Sequence, residues 1–143
     1  MLTVFNNITA LLDRYQIAYE VKHHLPSRTS EESARYRNEP LKIGAKALLV
    51  KADDSFVLAV LPADRKFDSK LLRTCLESKN LRFATPEELT EITGLVPGSI
   101  PPFGDLFKIK MIVDGALFEE EWMAFNAGSL EISIKMKTND FRK

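Results

Sequence analysis

The sequence predicts an α+β fold, in which one mixed β-sheet packs against a few helices within a single domain. Three observations lead there. The chain has 143 residues, of which 45% are hydrophobic and 28% charged, the size and balance of one domain with its own core. Helical periodicity is confined to the start and middle of the chain, and neighbouring β-rich runs follow one another without a helix after each. A doubly wound parallel sheet would need that strict alternation, so a mixed sheet is favoured.

Taken in order, residues 2–15 carry Val4, Phe5, Ile8, Leu11, Leu12 and Tyr15 at helical spacing and predict an amphipathic helix. Residues 17–21 read as a short strand that enters a His-Pro loop. Thr29 followed by Glu32 matches the S/T-x-x-E capping box, in which the threonine oxygen accepts an orphan amide and the glutamate reaches back, so a short helix is expected over 30–37. Residues 45–51 and 56–61 are apolar, β-rich runs separated by Asp53-Asp54, the pattern of a hairpin with a buried centre.

Asp68 is placed to cap a helix whose apolar face is Leu71, Leu72, Cys75 and Leu76, and Cys75 is expected in the core. Thr85-Pro86-Glu87-Glu88 is a second capping box, with proline at the first helical position. Further strands are expected over 106–113, 122–125 and 130–136; in the last, Leu130, Ile132, Ile134 and Met136 alternate with polar partners. No repeat, low-complexity tract or Pro/Ser-rich linker marks a boundary, so residues 1–143 are read as one domain.

Composition excludes several function classes. Twenty Lys plus Arg balance twenty Asp plus Glu, which does not suit a protein that coats nucleic acid by counterion release; contact with one RNA terminus needs only a few placed donors. The N-terminus has no basic segment leading into an apolar run, and no stretch approaches the roughly 20 apolar residues of a membrane span. A cytoplasmic location without membrane contact is expected, and the single cysteine agrees with a reducing compartment.

Metal binding finds no CxxC or HExxH, and the only histidines, His23 and His24, point to opposite faces of an extended segment. There is no GxSxG and no P-loop pattern, and Cys75 sits on an apolar stripe rather than beside a base.

Two segments stand out. From Gly94 to Gly104, three glycines and three prolines fall within eleven residues, which excludes regular helix or central strand. Such a loop can aim main-chain N–H groups at a carbonyl or phosphate, or simply connect the Pro86 helix to the next strand. Lys46 lies in Gly44-Ala45-Lys46-Ala47-Leu48, where an apolar strand begins. It either snorkels to solvent or stands at a pocket edge, where an ammonium can bind phosphate or polarise an oxyanion.

These segments resemble the YbaK and prolyl-tRNA synthetase-associated editing domain family, whose members hydrolyse amino acids wrongly attached to tRNA. The likeness runs from His24 and Thr29-Ser30-Glu31-Glu32-Ser33-Ala34 through the Lys46 segment, Val60-Leu61-Pro62-Ala63-Asp64-Arg65 and Arg82-Phe83-Ala84-Thr85-Pro86-Glu87-Glu88-Leu89. It continues through the Gly94–Gly104 loop to Phe125-Asn126-Ala127-Gly128-Ser129. The resemblance implies a curved, partly barrel-like mixed sheet flanked by helices, and activity without metal or organic cofactor. It implies Lys46 as the signature active-site residue and the Gly98–Pro102 turn as the holder of the aminoacyl carbonyl through the Gly98 amide. His24, Thr29, Ser99, Pro102, Phe103, Gly104, Asn126, Gly128 and Ser129 become the expected substrate-binding set.

The expected activity is that of a stand-alone trans-editing deacylase acting on tRNA mischarged with an amino acid of the Ala, Cys or Ser type. The tRNA acceptor end is the expected partner, with an aminoacyl-tRNA synthetase a further candidate, and DNA is not expected. The nucleophile is water or a group of the substrate, since the sequence offers none. Some relatives carry a histidine after the last central strand; Phe125-Asn126-Ala127-Gly128 has none, and residues 129–143 match weakly, which leaves amino-acid specificity open. Two alternatives remain, a non-catalytic module of the same fold that holds a tRNA end or a synthetase, and a hydrolase of another small acyl or nucleotide ester.

Overall fold

The computed structural model describes residues 3–27 and 29–141. Helix α1 (Thr3–Arg14) leads to strand β1 (Tyr19–His23) and helix α2 (Ser30–Arg37), then to the strands β2 (Ala45–Ala52) and β3 (Ser55–Pro62). Helix α3 (Ser69–Leu76), strand β4 (Leu81–Phe83) and helix α4 (Pro86–Thr93) form the middle, and β5 (Lys110–Val113), β6 (Trp122–Asn126), β7 (Ile132–Lys137) and α5 (Thr138–Phe141) complete the chain.

The helix starts follow the sequence signals. Thr29 Oγ1 accepts the Glu32 N–H at 3.1 Å, and Asp68 Oδ1 accepts the Leu71 N–H at 3.0 Å. At α4 the box is reciprocal: the Glu88 N–H donates to Thr85 Oγ1 at 3.1 Å, and the Thr85 N–H donates to Glu88 Oε1 at 2.9 Å.

Strands β2 and β3 pair antiparallel from Ala45 opposite Pro62 to Ala52 opposite Ser55. Asp53 takes a left-handed φ of 53° at the hairpin turn, and its carboxylate accepts the N–H groups of Lys79 and Asn80, tying the tip to the approach of β4. This hairpin is the centre of a four-stranded sheet ordered β4-β2-β3-β5, in which β5 runs parallel to β3. That parallel pair requires a crossover, which α3, β4 and α4 provide. A second sheet, β1-β7-β6, is antiparallel. The two meet at a parallel bridge between Gly44 and Ala124 and do not close into a barrel. The α+β mixed-sheet class read from the sequence is the one observed.

Between the sheets lies the larger core, where Ile8 and Leu12 of α1 pack with Leu58, Val60, Met123, Phe125, Ile134 and Met136. Val50, Val57, Ala59 and Leu72 form a smaller core under α3 on the opposite face of the hairpin. Burial on both faces explains why β2 and β3 read as continuous apolar runs rather than alternating ones.

Several expectations need correction. Cys75 is exposed, not buried. Helix α3 is short and reaches the sheet through Leu72, so Leu71 stays 60% exposed and the apolar stripe is wider than the surface it covers. The expected strand over 106–113 divides: Gly104–Phe107 is a 3₁₀ turn, ended by Lys108 at φ 56°, and only Lys110–Val113 is strand. Strand β1 starts later than expected because Gln16, at φ 56°, turns the chain and leaves Ile17 as a buried plug. The last strand likewise begins at Ile132 rather than Leu130. Strand β4, of three residues, and helix α5 carry no periodicity long enough to read.

Candidate active site

The beginning of β2, the start of α2 and the Gly98 turn surround a cavity of about 150 Å³. Gly44 to Leu48 and Ala63 form one wall, Ser27, Thr29, Ser30, Ser33 and Arg37 a second, and Gly98, Ile100 and Asn126 a third. Lys46 is the second residue of β2, opposite Leu61, and is half-buried. Its ammonium forms no hydrogen bond or ion pair with a described residue, so it is a charge held at a small cavity without a protein counter-ion.

Gly98 has φ 88°, a conformation open to glycine at no steric cost. The Ser99 N–H and hydroxyl both donate to the Val96 carbonyl, at 3.2 and 2.8 Å, which closes the turn. The Gly98 carbonyl accepts from Asn126 Nδ2 at 2.8 Å, and the Ser99 carbonyl accepts the Gly128 N–H at 2.9 Å. The Gly98 N–H has no acceptor among the described residues. Pro101 and Pro102, both buried, lack N–H groups and stiffen the exit.

The other expected residues divide. Thr29 and Asn126 line the cavity with Lys46 and Gly98, although Thr29 also caps α2 and the Asn126 side chain is held within the protein. His24 Nε2 lies 2.7 Å from Ser133 Oγ, behind the cavity rather than on it. Ser99 and Pro102 are buried in the turn. Phe103 packs edge-on against Phe125 and Phe141, at 5.4 and 5.7 Å between centroids, and Gly104 is buried beside the Ile109 carbonyl. Both line a separate cavity beside α1. Gly128 lies under Val4, and Ser129 Oγ accepts the Glu131 N–H at 3.0 Å. These residues support the wall and do not form it.

Sequence reasoning missed Arg37. It is 6% exposed, donates through Nε to Ser133 Oγ at 2.8 Å and through Nη2 to Asn126 Oδ1 at 3.0 Å, and lines the cavity. Burial pushes its guanidinium down to about 10, against the attraction of Glu39. Burial also opposes ionisation of Glu39, but hydrogen bonds from Lys135 at 2.8 Å and Lys22 at 3.1 Å outweigh it and hold the carboxyl below its ordinary range. The available signal was positional: in Ser30-Glu31-Glu32-Ser33-Ala34-Arg35-Tyr36-Arg37, the small residues Ser30, Ser33 and Ala34 share a helical face with Arg37. Ser27 and Ser33, hydrogen-bonded to each other at 2.7 Å, add hydroxyls to the same wall. Among the described residues, no group of three or more His, Cys, Asp or Glu side chains could hold a metal ion.

Fold and site together define an α+β domain with a small cationic, hydroxyl-lined pocket. The aminoacyl-tRNA editing domain model matches residues 24–143, and the chain belongs to that family. The multifunctional Ser/Thr-tRNA deacylase ProXp-y of Escherichia coli (strain K12) is 36% identical over 139 residues, covering 94% of this chain and 83% of that protein. A proline–tRNA ligase of Thermosipho africanus is 33% identical over 87 residues, which are 61% of this chain and 15% of the ligase. In fold, the chain superposes with a TM-score of 0.80 on a crystal structure described as a candidate trans-editing enzyme for prolyl tRNA synthetase, at 20% identity over 96% of this chain and 88% of that one.

Proposed function

We propose that this protein is a stand-alone trans-editing aminoacyl-tRNA deacylase of the cytoplasm, with residues 1–143 acting as a single editing domain. What supports the reading is that Lys46 and Gly98, whose N–H has no acceptor among the described residues, line one small cavity. In the substrate an ester joins the amino acid to the 3′-terminal ribose of tRNA. The Gly98 N–H donates to the ester carbonyl oxygen as negative charge develops there, and the Lys46 ammonium holds the neighbouring phosphate or ribose. Water or the adjacent ribose hydroxyl attacks the carbonyl carbon; a substrate thiol serves where the amino acid carries one. The ribose oxygen departs with a proton: water gives free tRNA and the free amino acid, and a substrate thiol gives free tRNA and a cyclic thioester. Attack by the adjacent ribose hydroxyl only moves the acyl group to that oxygen, so that water must still cleave the new ester.

The cavity suits a short side chain, and the hydroxyls of Ser27, Thr29 and Ser33 favour a polar one. Within the Ala, Cys and Ser group, seryl is therefore the favoured acyl group. The name of the E. coli relative points the same way and adds threonyl. Recognition rests on the acceptor end rather than the tRNA body, as a chain of zero formal net charge requires. A synthetase partner would deliver that end.

The test is to incubate the purified protein with tRNAs charged with serine, threonine, alanine or cysteine and follow release of the amino acid. Release from at least one, faster than spontaneous hydrolysis and suppressed by competing mischarged tRNA, is expected. Binding without release would assign the non-catalytic role instead, and equal turnover of free acyl esters would assign a general esterase.

A further inference from the structure

Arg37 is the one charged side chain among the described residues that is fully buried, and the chemistry proposed above gives it no task. No carboxylate among the described residues is bonded to it; Glu39, two residues on, is engaged by Lys22 and Lys135. A cation held this deep is costly unless its donors are used. Two of them are used on Ser133 and Asn126.

The Asn126 contact has a directional consequence. A carboxamide has one acceptor end and one donor end. Its oxygen takes Arg37 Nη2 at 3.0 Å and the Ser133 hydroxyl at 3.1 Å. With a cation and a hydroxyl on the oxygen, the amide nitrogen is forced toward the Gly98 carbonyl, 2.8 Å away. Gly98 is the soft point of its loop, since glycine leaves the peptide free to rotate where the following prolines do not. The Gly128 N–H tethers the next carbonyl, that of Ser99, from the same β6–β7 connection.

We propose that Arg37 is a positioning residue: through the Asn126 carboxamide it holds the Gly98 carbonyl, and with the Ser99–Val96 bonds that close the turn it fixes the left-handed Gly98 backbone at which the N–H of the preceding Pro97–Gly98 peptide is presented to the cavity. The functional consequence rests on the deacylase reading; the lock itself is a statement about conformation. Asn126 thereby leaves the set of residues that touch substrate and becomes the link between a buried cation and an oxyanion donor.

Asn126→Asp isolates the link. The carboxylate still accepts from Arg37 and Ser133, now as an ion pair that supports folding, but it cannot donate to the Gly98 carbonyl. The expected result is a kcat lowered roughly 10- to 100-fold, as for a misplaced catalytic group, with KM within about threefold of wild type and no loss of melting temperature. Arg37→Lys keeps the charge but loses the fork and should reproduce that split. The double variant should be no slower than the slower single one, because both act through one bond chain.

The second readout is the pair of amide signals of Gly98 and Ser99 by NMR, with the hydrogen-exchange rate of the Ser99 N–H, which is bonded to the Val96 carbonyl. In Asn126→Asp both signals should shift and broaden and the Ser99 exchange should accelerate, whether or not turnover can be measured. If wild type releases no amino acid from any mischarged tRNA while the Gly98 signal responds, the deacylase reading falls and the lock stands. An unchanged Gly98 signal in Asn126→Asp, or a loss expressed in KM alone, overturns the lock. Should Asn126→Asp fail to fold, Arg37→Lys decides by the same two readouts.

Discussion

Replacing Lys46 by alanine is the most direct perturbation of the site. The ammonium has no bonded partner among the described residues, so its removal strands no buried charge, and the half-exposed stem contributes at most one or two buried methylenes, about 1 kcal/mol. The effect on activity is larger. A unit charge about 4 Å away interacts at roughly 4 kcal/mol for the effective dielectric of a partly buried site, and removal of single oxyanion donors elsewhere costs about 2.7 to 4 kcal/mol. Lys46→Ala should therefore lower kcat/KM for deacylation by roughly 10² to 10³, with melting almost unchanged. Lys46→Arg preserves the charge in a bulkier planar group, and the narrow cavity should reject it, so a similar loss is expected. The assay is single-turnover release of labelled amino acid from mischarged tRNA, with thermal melting as control. Wild-type rates in both folded variants would refute the argument and leave Lys46 an ordinary strand-edge lysine.

Three further outcomes follow from the packing and the charges. Gly128→Ala meets a left-handed backbone at φ 81° and places a methyl 2.9 Å from Val4, so it should destabilise by about 2 to 4 kcal/mol and lower the melting temperature by several degrees. Cys75→Ser, at an exposed position away from the cavity, should leave both melting and turnover near wild type; a loss of several orders of magnitude in a folded variant would reveal a missed nucleophile. The Arg82 fork, followed by the Thr85 amide, holds the Glu88 carboxyl down at about 2 against an ordinary 4.5. Its folded value is the lower one, so its contribution is complete above pH 4.5 and is lost as pH falls toward 2. Glu88→Gln should flatten the stability profile in that window when urea unfolding is followed against pH.

The features legible in the chain were those whose cause is local. Thr29, Asp68 and Thr85 each satisfy an orphan amide within three residues, so the starts of α2, α3 and α4 could be placed from sequence. The β2–β3 hairpin was equally plain, as two apolar runs joined by a turn former. Lys46 and the Gly98 loop stood out because a charge in an apolar run and a cluster of glycine and proline break local rules. That the two line one cavity depends on the bridge between Gly44 and Ala124 and on the way the sheets meet there.

Burial and partnership, by contrast, were decided only in three dimensions. Cys75 has the same helical spacing as a core residue, but whether α3 buries one residue or its whole stripe depends on the area of sheet beneath it. Arg37 reads in sequence as one more solvated charge at a helix end; it becomes a buried donor because Asn126 and Ser133, 89 and 96 residues away, are brought under α2. Local propensity and capping act over one turn of chain and can be read from it. The environment of a side chain is a sum over distant neighbours, and only the folded arrangement of both sheets supplies it.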